Sequence, residues 1–199
     1  MAKQARMSML DKEVGGNLTH EQRIMFDPVS WIDSGQVRVP ACFNQGRCRS
    51  VINEVILTTL DLATNMDSNS QNELERLFIN EWFMLRKAGF LIACQRYRAN
   101  LACRGRLELL PREVKQFAQL SILVSKYEQG EQLLTLECIP YLARQELLSF
   151  CNELPKWLQQ RVPLLFPPIL GNSEQTGNLF SADTALLRLA IQHAKRNPW

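Results

Sequence analysis

The sequence has few of the residues on which enzymatic chemistry usually depends. Its 199 residues include two histidines, His20 and His193. It has no G-x-S-x-G nucleophile motif, no Walker phosphate loop and no H-E-x-x-H zinc motif. His20 lies in a polar segment, and His193 lies near a helix C-terminus, where the helix dipole favours a cation. These absences leave few candidates for a catalytic base, and an active site assembled from distant residues stays open.

Long apolar runs are also absent. The longest run near the middle of the chain, Ala88 to Cys94, is far shorter than the ~20 residues that a membrane-spanning helix requires. The residues that follow Lys3 and Arg6 lack the apolar region of a secretory signal. We therefore expect a cytoplasmic protein.

Metal-binding cysteine patterns are missing as well. No two of the six cysteines form a C-x-x-C pair, and their spacing does not match a zinc ribbon or finger. The pattern predicts no metal site and buried free thiols in a reducing compartment. The cysteines are Cys42, Cys48, Cys94, Cys103, Cys138 and Cys151.

The composition is that of a globular protein, with 46% hydrophobic and 22% charged residues. The net charge of +3 is too small to indicate nucleic acid by itself. We predict a flexible arm over residues 1–20, because Gly15 and Gly16 form a joint. Residues 21–199 are predicted to form a single mainly helical domain, with two closely packed lobes as the alternative.

Apolar residues at helical spacing predict a mainly α fold. Capping signals precede several stripes, at Thr19, at Ser70 and at Ser181. We expect a helix break at Ala88–Gly89. The predicted apolar stripes are Val51, Ile52, Val55, Ile56 and Leu60; Leu74, Leu77, Phe78, Trp82 and Leu85; and Leu186, Leu187, Ala190 and Ala194.

One segment departs from this helical pattern. Leu134, Leu136 and Cys138 alternate with polar residues after a turn at Gly130. Alternation with a period of two is typical of strands. We predict a small β-hairpin near residues 122–139, which Pro140 ends.

The segment 154–170 is rich in apolar residues and proline. Trp157 and its neighbours favour a short helix that Pro163 stops, and Leu164–Ile169 is expected to follow as an extended strap. Such a strap either crosses the protein's own core or is offered to a partner. Burial of large apolar residues favours the core, whereas Trp157 and Arg161 are residue types enriched at binding hot spots.

Six cations and no acid occur between Arg86 and Arg106, with Phe90 and Tyr97 between them. Three interpretations remain open: a solvated helix face, a surface for an acidic protein, or a nucleic-acid site. The aromatic residues fit the buried stripe of the helix.

Four motifs in order resemble the OrgA/MxiK family of type III secretion proteins. Ile24–Ile32 is similar to its F-D-P-x-x-Y/W-I opening, and Leu91–Pro111 is similar to its central helix. Leu154–Pro168 and Leu187–Pro198 resemble its later segments. The resemblance covers residues 24–198.

This resemblance implies an adaptor of the cytoplasmic sorting platform, at the cytoplasmic face of the inner membrane, which is not an enzyme and needs no cofactor. Such a protein would link the cytoplasmic domain of the inner-membrane ring to the pod protein that carries the ATPase complex. The alternative is a small nucleic-acid-binding regulator that uses the basic helix 86–106. Residue chemistry predicts the partner contacts. They are Phe26, Asp27, Trp31, Arg96, Arg98, Trp157, Arg161 and Phe166.

Overall fold

The computed structural model describes residues 18–43, 46–65, 72–120, 135–168 and 182–197. Within these ranges the fold is made of α-helices and short 3-10 helices, which confirms the prediction of a mainly helical protein. The α-helices are α1 (His20–Phe26), α2 (Gly46–Thr59), α3 (Glu73–Asn80), α4 (Trp82–Arg96), α5 (Arg98–Ala102), α6 (Arg112–Ala118), α7 (Ile139–Leu148), α8 (Lys156–Arg161) and α9 (Thr184–Arg196). The 3-10 helices are Pro28–Ser30, Ala41–Phe43, Cys103–Leu109, Leu136–Cys138, Cys151–Glu153 and Val162–Leu165.

Side-chain caps begin three of these helices. Thr19 and Gln22 form the predicted capping box of α1, with the Gln22 amide donating to Thr19 Oγ1 at 3.2 Å. Asn72 caps α3 by accepting from the Glu75 amide at 2.6 Å. Asp183 caps α9. The caps expected at residues 70 and 181 lie outside the described residues.

Helix α4 is the centre of the fold. It packs most extensively against α7 and α9, and then against α6. Its side chains are buried on most sides, from Trp82 and Leu85 to Leu91 and Cys94. A helix that is apolar around its circumference is stable only when neighbours cover it. Helix α9 covers one side with Leu186, Leu187, Ala190 and Ala194, the stripe that its sequence predicts.

The helix break predicted at Ala88–Gly89 is wrong, because α4 continues through both residues to Arg96. Gly89 lies where α4 meets α7. A Cβ atom at this position would lie 2.9 Å from the Ala143 carbonyl oxygen and 3.2 Å from Leu147 Cγ. The absence of a side chain at Gly89 therefore allows α4 and α7 to pack closely.

The predicted β-hairpin is wrong in the part of it that the structure describes. Residues 122–134 lie outside the described residues, and from residue 136 onward the chain is helical rather than extended. Pro140 occupies the first turn of α7, where its missing amide hydrogen has no cost. The proline that the strand prediction places at the end of a strand instead lies at the start of a helix. The alternation of three residues before it is too short to distinguish a strand from a helix.

Buried residues from Ile24 to Ala194 form one hydrophobic core cluster. The arm predicted over residues 1–20 falls mostly outside the described ranges, and the division into arm and domain stays a prediction. Among the described residues, no helix combines the length and apolar character needed to cross a membrane.

The cysteines differ from the expectation of buried thiols. Cys94 is buried, and burial raises the pKa of its thiol to about 12. Cys42, Cys48 and Cys103 are exposed. Within the described ranges, no group of three or more histidine, cysteine or acidic side chains could hold a metal ion.

Candidate partner-binding surfaces

Asp27 is the centre of a buried polar cluster that attaches α2 to the rest of the fold. Arg49 donates to both of its carboxylate oxygens, at 2.9 Å and 2.8 Å. The Asn53 amide also donates to Asp27, at 2.8 Å, and its oxygen accepts from the Val29 amide at 3.0 Å. A bidentate arginine–carboxylate pair fixes orientation as well as distance. Asp27 therefore sets the position of α2.

The aromatic residues around Asp27 pack inward. Trp31 is buried, and its indole nitrogen donates to the Ile24 carbonyl at 3.0 Å. Its ring meets Trp82 edge-on, with centroids 5.3 Å apart. Phe26 is partly buried and packs against the core. This segment holds α1 against the start of α4.

Arg161 is fully buried and joins three parts of the chain. Its guanidinium donates to the carbonyl oxygens of Met25 at 2.9 Å, Ala63 at 3.0 Å and Trp157 at 2.8 Å. Its cation also lies 5.7 Å from the centroid of the Trp157 ring. Burial lowers the pKa of Arg161 to about 10, so the side chain is still a cation at neutral pH.

The described part of the segment 154–170, residues 154–168, lies largely in the core. Trp157 and Phe166 are almost completely buried. The backbone of the strap is tied to residues 33–36, because the Leu164 carbonyl accepts from the Asp33 amide and the Phe166 carbonyl accepts from the Gln36 side chain, both at 2.9 Å. Val162–Leu165 forms a 3-10 helix with Pro163 in its first turn, so the strap predicted to be extended from Leu164 begins in a helical turn. Of the two interpretations of the strap, core packing is the one that this burial supports.

Arg96 pairs with a buried acid on α7. Its Nε lies 2.9 Å from Glu146 Oε2, and Glu146 is 1% exposed. Burial raises the pKa of Glu146 to about 7, although the Arg96 charge acts in the opposite direction. Arg96 thus belongs to the contact between α4 and α7.

This buried acid predicts a pH-dependent stability. Because the folded-state pKa of Glu146 exceeds its ordinary value of 4.5, its stabilising contribution is complete below about pH 4.5 and is lost as pH rises through about 7. Between pH 5 and pH 8 we expect the free energy of unfolding of wild type to fall by about 2–3 kcal/mol relative to that of Glu146→Gln. Urea unfolding of both proteins at several pH values measures the difference. A difference that is constant with pH would contradict the shifted pKa.

The predicted basic helix 86–106 is not one continuous helix. Helix α4 ends at Arg96, and α5 and the 3-10 helix Cys103–Leu109 follow it as separate elements. Gly105, within the 3-10 helix, has a φ of +68°. Arg86 pairs with Asp33 at 2.8 Å, and Lys87 donates to the Asn197 carbonyl. These cations are therefore engaged within the fold, which disfavours a row of charges along one helix for nucleic acid.

Arg98, one of the predicted contact residues, contacts an exposed leucine. It is half-buried, and its guanidinium donates to the Leu120 carbonyl at 3.3 Å. Leu120 is exposed, and Leu109 is 72% exposed. Sequence periodicity did not predict the exposure of these leucines, because exposure depends on which helices cover a residue.

Two exposed valines on α2 were also missed. Val51 and Val55 are 59% and 53% exposed, whereas Asn53 on the other side of the helix is buried. Residues four apart share a helix face. We call Val51 and Val55 the valine face. The predicted apolar stripe placed both valines in the core together with Ile56, and of these three only Ile56 is buried.

Neither histidine has an acid–base arrangement with a nucleophile in the described structure. His193 Nε2 lies 2.8 Å from the Glu113 carbonyl oxygen, and its ring lies 5.2 Å from that of Phe117. His20 stacks edge-on against Phe83. Both rings thus have structural partners that account for their positions.

Comparison with known proteins identifies the family. A family described as "Bacterial type III secretion apparatus protein (OrgA_MxiK)" matches residues 21–196. The chain belongs to the OrgA/MxiK family. The resemblance predicted over residues 24–198 is thereby confirmed, and an apparatus protein is expected to have protein partners within that apparatus.

Individual members of the OrgA/MxiK family are also similar to this chain. The oxygen-regulated invasion protein OrgA of Salmonella typhimurium, in strains 14028s, SL1344 and LT2, is 31% identical over 182 residues. That match covers 89% of this chain and 87% of the relative. No solved structure matches the chain.

Proposed function

We propose that this chain is an adaptor of the type III secretion sorting platform, at the cytoplasmic face of the inner membrane. It would link the cytoplasmic domain of the inner-membrane ring to the pod protein that carries the ATPase complex. It would bind proteins, without catalysis and without a cofactor. Membership in the OrgA/MxiK family is the observation that carries this proposal.

The positions of the exposed apolar residues support two separate binding surfaces. The valine face belongs to α2, whose principal contacts are α1 and the 3-10 helices Pro28–Ser30 and Ala41–Phe43. The segment that follows Pro28–Ser30 packs on the start of α4 through Trp31 and Trp82. Arg98, Leu109 and Leu120 follow the end of α4 at Arg96. Since a 15-residue helix is about 22 Å long, α4 separates the two surfaces.

The residues predicted as contacts take different parts in this proposal. Arg98 would contact a partner directly, and Asp27 would act by holding the valine face in place. The remaining residues would act through the core and the helix contacts that fix the distance between the surfaces. They are Phe26, Trp31, Arg96, Trp157, Arg161 and Phe166, which are buried or partly buried.

The adaptor function predicts a bridged complex with separable halves. Purified chain is expected to bind the ring domain and the pod protein together. The double variant Val51→Glu/Val55→Glu is expected to lower the affinity for one partner about tenfold or more, because it places charge in an apolar contact. The affinity for the other partner is expected to stay unchanged. Leu189→Glu, at an exposed leucine on α9, is the matched control. Calorimetric titration with each partner measures the effect.

Two outcomes would count against this proposal. If wild-type chain binds neither partner, the adaptor function is wrong. If it binds both and the double variant binds both equally well, the valine face is not a contact. Unchanged circular dichroism of the variant ensures that lost binding is not lost folding.

A further inference from the structure

The positive charge of this chain is concentrated in one segment. Residues 98–120 contain five cations and two acids, a net charge of +3, which equals the formal net charge of the whole chain. The 18 cations and 18 acids in the rest of the chain balance each other. We call residues 98–120 the basic end. Its charge is a local property that the small net charge of the protein conceals.

The structure joins the elements of the basic end into one surface. Arg98 at the start of α5 donates to the Leu120 carbonyl just beyond α6. Lys115 on α6 lies 3.0 Å from Glu108 in the preceding 3-10 helix. These two contacts tie α5, the 3-10 helix and the end of α6 together.

Two exposed leucines lie within this charged surface. Leu109 is 72% exposed, which is the largest exposure among the large apolar residues of the described ranges, and Leu120 is 42% exposed. Arg112 is also exposed. Apolar anchors beside an excess of charge of one sign are typical of protein interfaces, in which burial supplies affinity and charge supplies orientation and rate.

The geometry of the basic end favours a protein over other anionic ligands. Single-stranded nucleic acids bind through exposed aromatic rings, and duplexes commonly take a long helix in a groove. Phe117 is buried, and α5 and α6 have five and seven residues. A helix that inserts into a membrane surface has a continuous apolar face, whereas Leu109 and Leu120 lie on separate elements.

We propose that the basic end docks an acidic protein segment whose apolar side chains cover Leu109 and Leu120. This proposal rests on the adaptor function and deepens it, because it assigns the chemistry of one of the two partners. The acidic side chains of that partner meet the arginines, and its apolar side chains remove the leucines from water.

A synthetic peptide of glutamates interspersed with leucines tests the chemistry directly. Full-length chain is expected to bind this peptide more weakly as salt increases from about 50 to about 300 mM, and to bind a lysine–leucine peptide poorly. Arg112→Glu and Leu109→Ser are each expected to weaken binding about tenfold. The matched controls Arg76→Glu and Leu189→Ser, at exposed positions on other helices, are expected to stay within about twofold. Fluorescence anisotropy measures all affinities.

Equal peptide affinity in wild type, Arg112→Glu and Leu109→Ser would overturn the proposal. So would weak peptide binding combined with tight binding of duplex DNA or phosphatidylglycerol vesicles that Arg112→Glu removes. The same four variants are then titrated with the ring domain and the pod protein. One partner is expected to lose affinity with the two variants of the basic end and not with the controls.

The peptide and the natural partners separate the two proposals. If the peptide behaves as expected and neither natural partner binds wild-type chain, the basic end has the inferred specificity and the adaptor function is wrong. If both partners bind and neither responds to Arg112→Glu or Leu109→Ser, the adaptor function stands and the basic end is not its docking surface.

Discussion

Arg161→Ala is expected to lower the free energy of unfolding by about 3–5 kcal/mol. The guanidinium is fully buried and satisfies carbonyl oxygens of Met25, Ala63 and Trp157, which belong to separate parts of the chain. Its removal breaks all three hydrogen bonds, two of which are buried, and leaves a cavity beside Trp157. Because domains of this kind are stable by about 5–15 kcal/mol, the loss is a large share of the total.

Two further variants identify the cause of this loss. Arg161→Lys keeps the charge, but a single ammonium group does not reproduce the planar fork that reaches acceptors in three directions. We expect it to lose about half as much stability as alanine. Arg188→Ala, which removes an exposed pair with Glu73, is expected to cost less than about 1 kcal/mol. Urea unfolding followed by circular dichroism compares them. A cost for Arg161→Ala no greater than for Arg188→Ala would refute a structural role for the buried cation.

Signals that act within a few residues predicted the helices well. The Thr19 capping box and the stripe of α9 depend on contacts three or four positions apart, so the sequence displays them directly. Gly89 shows the limit of this approach. Glycine lowers helix propensity by about 1 kcal/mol relative to alanine, and this local cost suggested a break. The close approach of α7, which requires the glycine, involves residues more than fifty positions away.

The candidate surfaces were harder to predict for the same reason. Val51, Val55 and Ile56 fit one helical stripe, yet the first two are exposed. The side of α2 that faces inward is set by the cluster of Asp27, Arg49 and Asn53, which no hydrophobic period describes. Likewise, tryptophan and arginine are both enriched at interfaces, yet tryptophan is often buried in cores and arginine can be buried when it is paired. Only the positions of carbonyl acceptors distinguish the buried Arg161 from an arginine offered to a partner.

Asp27→Asn is expected to release α2 while the rest of the core remains folded. The substitution keeps the size of the side chain, but it removes the charge that Arg49 and Asn53 bind and places amide hydrogens near these donors. We expect the free energy of local opening of α2 to fall by at least about 2 kcal/mol, which speeds amide exchange over residues 46–59 at least about 30-fold. Hydrogen exchange measured residue by residue compares α2 with α4.

Local release is the expected result because α2 has its principal contacts with α1 and two short 3-10 helices rather than with α4. Glu108→Gln, an acid-to-amide change at an exposed pair with Lys115, is expected to leave exchange in α2 unchanged. Equal acceleration in α2 and α4 would contradict a separable α2, and no acceleration would contradict the role of Asp27. If Asp27→Asn also lowers the affinity for the partner that Val51→Glu/Val55→Glu affects, the F-D-P segment supports binding by holding the valine face in position.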